Sequence, residues 1–594
     1  MLATTAAGLS VATSGCLREV RSAINRDRFE QLSIDITVMP ADGDHQAIQV
    51  ARRLTDNLGA VGIDSSFRFR STEEFFRDTL VNHDFDCFVG RHPGGADPDF
   101  LYEALYSSYA EQSGWQNPFG VADPRLDDLL ETQRRATEAA REDAVVSVLE
   151  YLAVEQPFVP ICRMADLRLR RTDRFDGWHD AALDSRLGYL DLEVADAEDA
   201  ELRGTVIYPS TSENLNPLSV EYRSQELFVE LLYDSLATVE PSAEDDPSSV
   251  GEDGLLPWLA SDWAWDPAAD SEAVEDPDAE IGRLEVTIRE DHAFHDGEPV
   301  MADDVVFTYD LLADTRLGGD EVPTPAPRYR GRTSAVEAVE AVDDHTIEFT
   351  IDGAEAVALQ ALLVPILPEH VWTDRTGEPT VPGVRLAQGT TEAVVTDNVP
   401  PIGSGPFAFD DVAVRDSLEL VAYDDHFTQR EDVDLPGVTV DSLRAQIDPR
   451  SPSAIAFLEA GDADVTFSPL EAYAIDDIEA SEPLELVDVP TTAFYTLGFN
   501  VRREPFSNPF FRQAVARLLD KAWLVEEVFQ GYAEPIATPL TDAWTPEAFA
   551  FEDADPSVPF AGDAGTGTLD LEAARDWFRD AGYRFDDGHL VVRR

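Results

Sequence analysis

Few side chains in this chain of 594 residues are spaced for chemistry. His292 and His295 form an HxxH pair, a pattern that suggests metal ligands. Three residues apart on an extended stretch they face opposite ways, so they are not expected to share an ion. Ser404 stands between Gly403 and Gly405, but Pro406 follows and no helix begins there, so it lacks the strand-to-helix turn of a nucleophilic serine. Cys87 and Cys162 lie in the apolar runs FDCFVG and FVPICR and read as small buried thiols, and three cysteines make no disulfide framework. Neighbouring carboxylates mean little where 117 acids face 44 bases. The expectation is a protein with no catalytic residue, no metal and no cofactor.

The charge is informative in its own right. A formal charge of −73 repels itself in dilute solution, whereas at about 1 M salt the screening length is roughly 3 Å and the repulsion largely disappears. Lys521 is the only lysine, and every other base is arginine. This balance points to a hypersaline setting. A disordered acidic tail is excluded because the acids are spread through periodic segments in a chain that is 43% hydrophobic. Nucleic acid is excluded as a partner because no basic stripe exists to displace counterions.

Hydrophobic periodicity supplies the frame. LSIDITV alternates as a half-buried strand; a helix carrying Ala47, Val50, Ala51, Leu54 and Leu58 follows, then a strand around Phe67, a helix over 72–80 and the strand FDCFVG. Such β-α-β alternation predicts a mostly parallel sheet. Near the other end, Phe494, Tyr495, Leu497 and Phe499 form a strand, Pro505 and Pro509 bracket a turn, and apolar residues from Phe511 to Val528 recur at helical spacing until Gly531. A helix over 569–580 and a hairpin at Asp587-Gly588 close the chain. At the start, residues 1–17 are small and apolar and end in Thr13-Ser14-Gly15-Cys16. This looks like a lipobox, with Cys16 the lipid attachment point; the run is too short to span a bilayer, and the missing basic residues imply a start further upstream.

LGFNVRREPFSNPFFRQAVARLLDKAWLVEEVFQGYAEP closely resembles the lobe-crossing segment of the family 5 extracellular solute-binding proteins, the peptide and nickel receptors of ABC importers. LEVTIREDHAFHDGEPVMADDVVFTYDLL, PILPEHVW, PIGSGPFAF and AIAFLEAGDADVTF are similar to further segments, in family order. NLGAVGIDSSFRFRSTEEFFRDTLVNHDFDCFVG, GGADPDFLYEAL and EQPFVPICR resemble segments that come late in the family yet stand early here, whereas ELRGTVIYPSTSENLNPLSV resembles the family's beginning and starts only at Glu201. The resemblance implies an α/β fold of the two-lobed periplasmic-binding-protein type (type II), of a haloarchaeal kind, with an extra inserted domain and a circular permutation within the second lobe. The expected units are a signal remnant and tether at 1–30, a second lobe from 31–165 plus 498–594, a first lobe from 166–245 plus 400–497, and an inserted domain at 246–399, with crossings near Phe499 and Cys162.

The function so implied is a receptor that closes on a small polar solute, an oligopeptide or a related molecule, by hinge motion and delivers it to an ABC permease. It would be a monomer, lipid-anchored at the extracellular face of the cell membrane. The alternatives are a surface sensor or scaffold without transport, or a hydrolase. Expected ligand contacts are Asn216, Tyr233, Phe494 and Tyr495 from the first lobe, and Thr72, Arg91, His92, Trp115, Asn117 and Arg163 from the second. Peptide-binding members of the family carry an aspartate for the peptide ammonium where this chain has Pro93-Gly94, which weakens a free-peptide assignment and leaves room for an anionic or glycan-like ligand.

Overall fold

The computed structural model describes residues 29–40, 44–195, 200–220, 226–240, 254–267, 281–319, 323–379, 390–478, 483–489 and 491–593. Cys16 and its flanking segment lie outside them. Two large sheets dominate. The first runs Phe407–Ala413, Ser417–Ala422, Ser442–Ile447, Glu201–Val206, Val465–Thr466, Asp166–Arg171, Leu484–Val489. The second runs Ala533–Pro535, Phe158–Met164, Phe494–Phe499, Cys87–His92, Ser33–Val38, Asp64–Phe69. The second sheet thus takes strands from both ends of the chain.

The β-α-β pattern accounts for the second sheet only in part. Ser33–Val38 pairs in parallel with Asp64–Phe69 and Cys87–His92, as alternation with helices requires. Phe494–Phe499 then inserts antiparallel to both Cys87–His92 and Phe158–Met164. Its alternating residues separate two cores: Tyr495, Leu497 and Phe499 pack on one face with the helix His45–Val61, and Phe494 packs on the other among Phe88, Phe119 and Phe158. The strand lies wholly within this sheet. The expected crossing near Phe499 is therefore displaced, because the chain leaves the first sheet at Val489 and enters the second at Phe494. The return crossing is short, with Phe158–Met164 followed directly by Asp166–Arg171.

Local chemistry sets the helix bounds. Asp44 caps His45–Val61 by accepting the Ala47 N–H at 2.8 Å, and Gly62 ends it at φ 101°, a conformation that favours glycine. The single helix expected between Phe511 and Val528 is two, Pro509–Ala516 and Lys521–Glu527; Asp520 accepts the Trp523 N–H and starts the second afresh. The expected helix over 72–80 begins as α-helix at Thr72–Phe76 and widens to a π turn at Arg77–Val81.

A third, antiparallel sheet of Ala260–Asp266, Ile281–Ile288, Thr346–Asp352 and Val336–Ala341 lies in the stretch expected as an inserted domain. Its Leu284, Val286 and Phe349 share one core with Leu202, Val206 and Leu443 of the first lobe. It also touches the second lobe. Arg135 forms a two-pronged pair with Asp352 at 3.0 and 2.8 Å, Arg134 donates to the Ser334 hydroxyl at 2.8 Å, and the Ala354 N–H donates to the Arg134 carbonyl. At the chain ends, Phe29–Gln31 lies antiparallel to His589–Arg593, with Phe29 opposite Arg593. Among the described residues, no helix is long and apolar enough to cross a membrane.

Candidate functional site

The two crossings bring polar side chains from both lobes to one seam. Arg91, at the end of Cys87–His92, donates to Asp166, the first residue of Asp166–Arg171, at 2.8 Å. Arg91 also lies 5.9 Å from the centre of the Tyr495 ring, whose hydroxyl donates to Asp44 at 3.2 Å. The His45 N–H of the second lobe donates to Glu471 of the first at 3.1 Å. Burial opposes the charge on Arg91, but Asp166 outweighs it and raises the guanidinium pKa further. Burial pushes the Asp44 carboxyl up to about 6. Tyr208, half-buried just beyond Glu201–Val206, is within electrostatic reach of Arg91, Asp44, Asp166 and Arg168 and so faces the same space.

Asp184, on the first lobe, lies within electrostatic reach of Arg168, Asp166 and Glu230. It is open to solvent, yet protein surrounds it closely enough that desolvation pushes its carboxyl up to about 7 against the pull of Arg168. Glu230 follows; burial raises its carboxyl as well, and it accepts the Arg186 N–H at 3.1 Å. Beyond it, Arg332 pairs with Glu226 at 3.4 Å along a crevice also lined by Tyr329 and Leu363.

The Asp184 shift makes a prediction about stability. A folded value above the ordinary one means that the folded protein keeps a proton which the unfolded chain gives up near pH 4, so this stabilising contribution is complete below about pH 4 and is lost as pH rises towards 7. In high salt, the melting temperature of the wild type is expected to fall relative to Asp184→Asn across that window. A difference that stays constant with pH would mean that the carboxyl titrates normally.

Of the residues expected at the ligand, the seam unites Arg91 and Tyr495. The others have structural work to do. His92 is buried, 4.6 Å from Trp115 and 5.0 Å from Phe494 between ring centres, with Nδ1 accepting the Gly94 N–H; all three side chains belong to the aromatic core of the second lobe. Asn117 is fully buried and ties its own turn by donating to the Leu105, Tyr106 and Val121 carbonyls. Asn216 donates to the Ala393 and Thr396 carbonyls, Tyr233 is a core residue whose hydroxyl accepts from Asn398, and Arg163 donates to the Leu540 carbonyl. Thr72 sits half-buried in the first turn of a helix capped by Ser71. Asp166, Arg168, Asp184 and Tyr208, which the structure brings into electrostatic reach of one another, were not singled out from the sequence. The one available signal was the change from apolar FVPICRM to polar DLRLRR where the chain changes lobe.

A second polar cluster lies deep in the first lobe. The Asp234 carboxylate faces His292 Nε2 at 3.0 Å and His426 Nε2 at 3.2 Å, and also accepts from the Trp258 indole at 2.7 Å and Arg186 at 3.3 Å. Burial would raise its pKa, but the two imidazoles hold it well below the ordinary value. The three ligand-type residues are close enough for an ion. However, the Thr428 N–H points at His426 Nδ1, which assigns the ring proton to Nε2 facing Asp234, and the adjacent Arg186 charge opposes a cation. The arrangement fits a charge clamp joining the inserted domain to the first lobe. His295 does a different job, bonding the Gly405 carbonyl at 3.0 Å; both histidines sit in the turn after Ile281–Ile288, not on a strand. Ser404 is buried, with its hydroxyl accepting the Asp234 N–H.

The model of the bacterial extracellular solute-binding proteins, family 5 (middle), matches residues 254–592, more than half of the chain. The oligopeptide-binding protein AppA of Bacillus subtilis is 27% identical over 267 residues, covering 44% of this chain and 44% of that protein. Heme-binding protein A of Haemophilus influenzae is 25% identical over 285 residues, covering 48% and 46%. The chain thus spans less than half the length of these curated relatives. A solved structure of Bacillus subtilis AppA with a nonapeptide aligns over 66% of each chain at 19% identity, with a TM-score of 0.43.

Proposed function

Because the chain belongs to the family 5 extracellular solute-binding proteins, we propose that it captures a small polar solute, an oligopeptide or a related molecule, between its lobes by hinge closure and hands it to an ABC permease. The observation that carries this reading is the pair of crossing strands. Leu484–Val489 pairs antiparallel with Asp166–Arg171 in the first lobe, and the same two chain segments pair again as Phe494–Phe499 with Phe158–Met164 in the second. Two adjacent connections of this kind allow rotation about one axis while each lobe keeps its own sheet. The seam residues Arg91, Asp166, Tyr208 and Tyr495 lie at that axis, where closure brings opposite walls onto a solute. The relatives' names extend the choice of cargo to oligopeptides and heme.

In this reading the protein works as a monomer at the extracellular face of the membrane, held by a lipid on Cys16. The order of its segments is a circular permutation in the second lobe. The shared second sheet and the pairing of Phe29 with Arg593 support the permutation, since they put the strands nearest both ends side by side. A sensor without a permease would use the same cleft; failure to find a genetically linked permease or to restore uptake would favour it. The direct test is a thermal-shift screen in molar salt against peptide pools, with small-angle scattering on any hit. A rise in melting temperature together with a smaller radius of gyration is expected. No shift with any peptide pool would overturn the peptide version.

A further inference from the structure

We infer that Arg328 holds a small inorganic anion, a halide such as chloride, in an enclosed site where residues 327–332 meet the second lobe; this does not depend on the receptor reading above. Arg328 is 4% exposed, and both of its Nη atoms are buried with no acceptor. Every other arginine buried among the described residues has one. Arg134 and Arg141 pair with Asp99 and Asp97, Arg186 pairs with Asp234, and Arg168, Arg512 and Arg517 donate to backbone carbonyls. Tyr329, with its ring centre 5.4 Å from the guanidinium, offers Arg328 only a π face. A buried charge without acceptors is costly, and a guanidinium cannot shed its proton to relieve the cost. Water would satisfy the N–H groups but leave the charge uncompensated; an anion does both.

The segment brings no anion of its own. Residues 322–336 carry three arginines and no acid, in a chain that has 117 acids. Arg332 uses Glu226 at 3.4 Å, whereas Arg330, 5.6 Å from the centre of the Tyr109 ring, has a buried Nε with no acceptor. Glu103 of the second lobe lies against Gly331, but it accepts the Gln116 side-chain amide at 2.9 Å, and the same amide donates to the Pro327 carbonyl. These bonds fasten the turn to the second lobe and leave the charges of Arg328 and Arg330 unpaired beside it. Because both Nη atoms of Arg328 are closed off from solvent, the site suits an ion of one or a few atoms and not the end of a peptide or a sugar. In the molar salt that the acidic surface calls for, halide is abundant and a screening length of roughly 3 Å removes the long-range repulsion.

The test uses the full chain with no solute added. Crystals grown in molar potassium bromide are expected to show an anomalous-scattering peak within hydrogen-bond reach of Arg328 Nη1 or Nη2. No peak there, or bromide only at exposed arginines, would overturn the site and make water the partner of these N–H groups. In solution, chloride replaces gluconate at constant ionic strength while melting is followed. The wild type is expected to gain at least about 2 °C over Arg328→Met and to level off as the site fills, since only the folded protein holds the ion. Arg328→Met, its fold checked by circular dichroism, should show only the gradual drift of a bulk salt effect. Parallel curves for the two proteins would overturn the proposal, as would a wild-type curve that bends only once peptide is added, which would give the guanidinium to the solute. If Arg328→Met does not fold, the bromide map, which needs no variant, decides alone.

Discussion

Asp234→Ala is expected to destabilise the protein by about 3–5 kcal/mol, the usual cost of removing one partner from a buried charge pair. The carboxylate receives His292, His426, Trp258 and Arg186, and all five side chains are buried. Without it, the Arg186 guanidinium keeps its charge in the interior and only Glu230 remains near it. One of the polar ties between the first lobe and the segment after Ile281–Ile288 is also lost, since His292 lies just beyond that strand. Chemical denaturation in high salt should register the change as a lower midpoint, and a loss below about 1 kcal/mol would mean that the clamp is not what joins the two. A chelator offers an independent check, because a charge clamp leaves the wild-type melting curve unmoved by it, whereas a structural ion would not.

Lys521→Met should cost a comparable amount, about 3–5 kcal/mol. This single lysine is almost wholly buried, with its ammonium 2.5 Å from Asp555 and 2.8 Å from the Ile536 carbonyl. Its removal takes away the cation in direct contact with the Asp555 carboxylate and leaves it the longer-range pull of Arg517. The double variant Lys521→Met/Asp555→Leu should recover most of the loss, because apolar replacement of both partners removes the desolvation cost as well as the attraction. If the single and double variants melt alike, the pair contributes nothing beyond packing. The site also explains why one lysine persists among so many arginines. A compact ammonium suits a narrow pocket with one carboxylate and one carbonyl, and a planar guanidinium with five donors would leave some of them unmet.

The sequence conveyed the framework better than the chemistry. Alternating LSIDITV, the amphipathic stretch with Ala47, Val50, Ala51, Leu54 and Leu58, and the Asp587-Gly588 hairpin all declare local structure through period and turn type, and each forms as expected. The break at Asp520 was hidden because its apolar residues keep helical spacing across it, and only the capping hydrogen bond shows the restart. Arg91 and Tyr495 could be selected because they end or begin strands next to a crossing. His92, Trp115 and Asn117 sat in equally suggestive positions, but strand alternation and a tight turn aim them into the second lobe. The raised carboxyl of Asp184 could not be read from its sequence neighbours, because burial and the charges of Arg168, Asp166 and Glu230 act on it only in the fold.

The contact of Arg134 and Arg135 with Ser334, Asp352 and Ala354 has a bearing on kinetics. If the lobes open and close as proposed, the segment carrying Asp352 would move with the first lobe, whose core it shares, and opening would have to break these bonds. Part of the barrier to release would then be independent of the cargo. Dwell time in the shut form would then vary with salt and with substitutions at Asp352, even for solutes that never touch that residue.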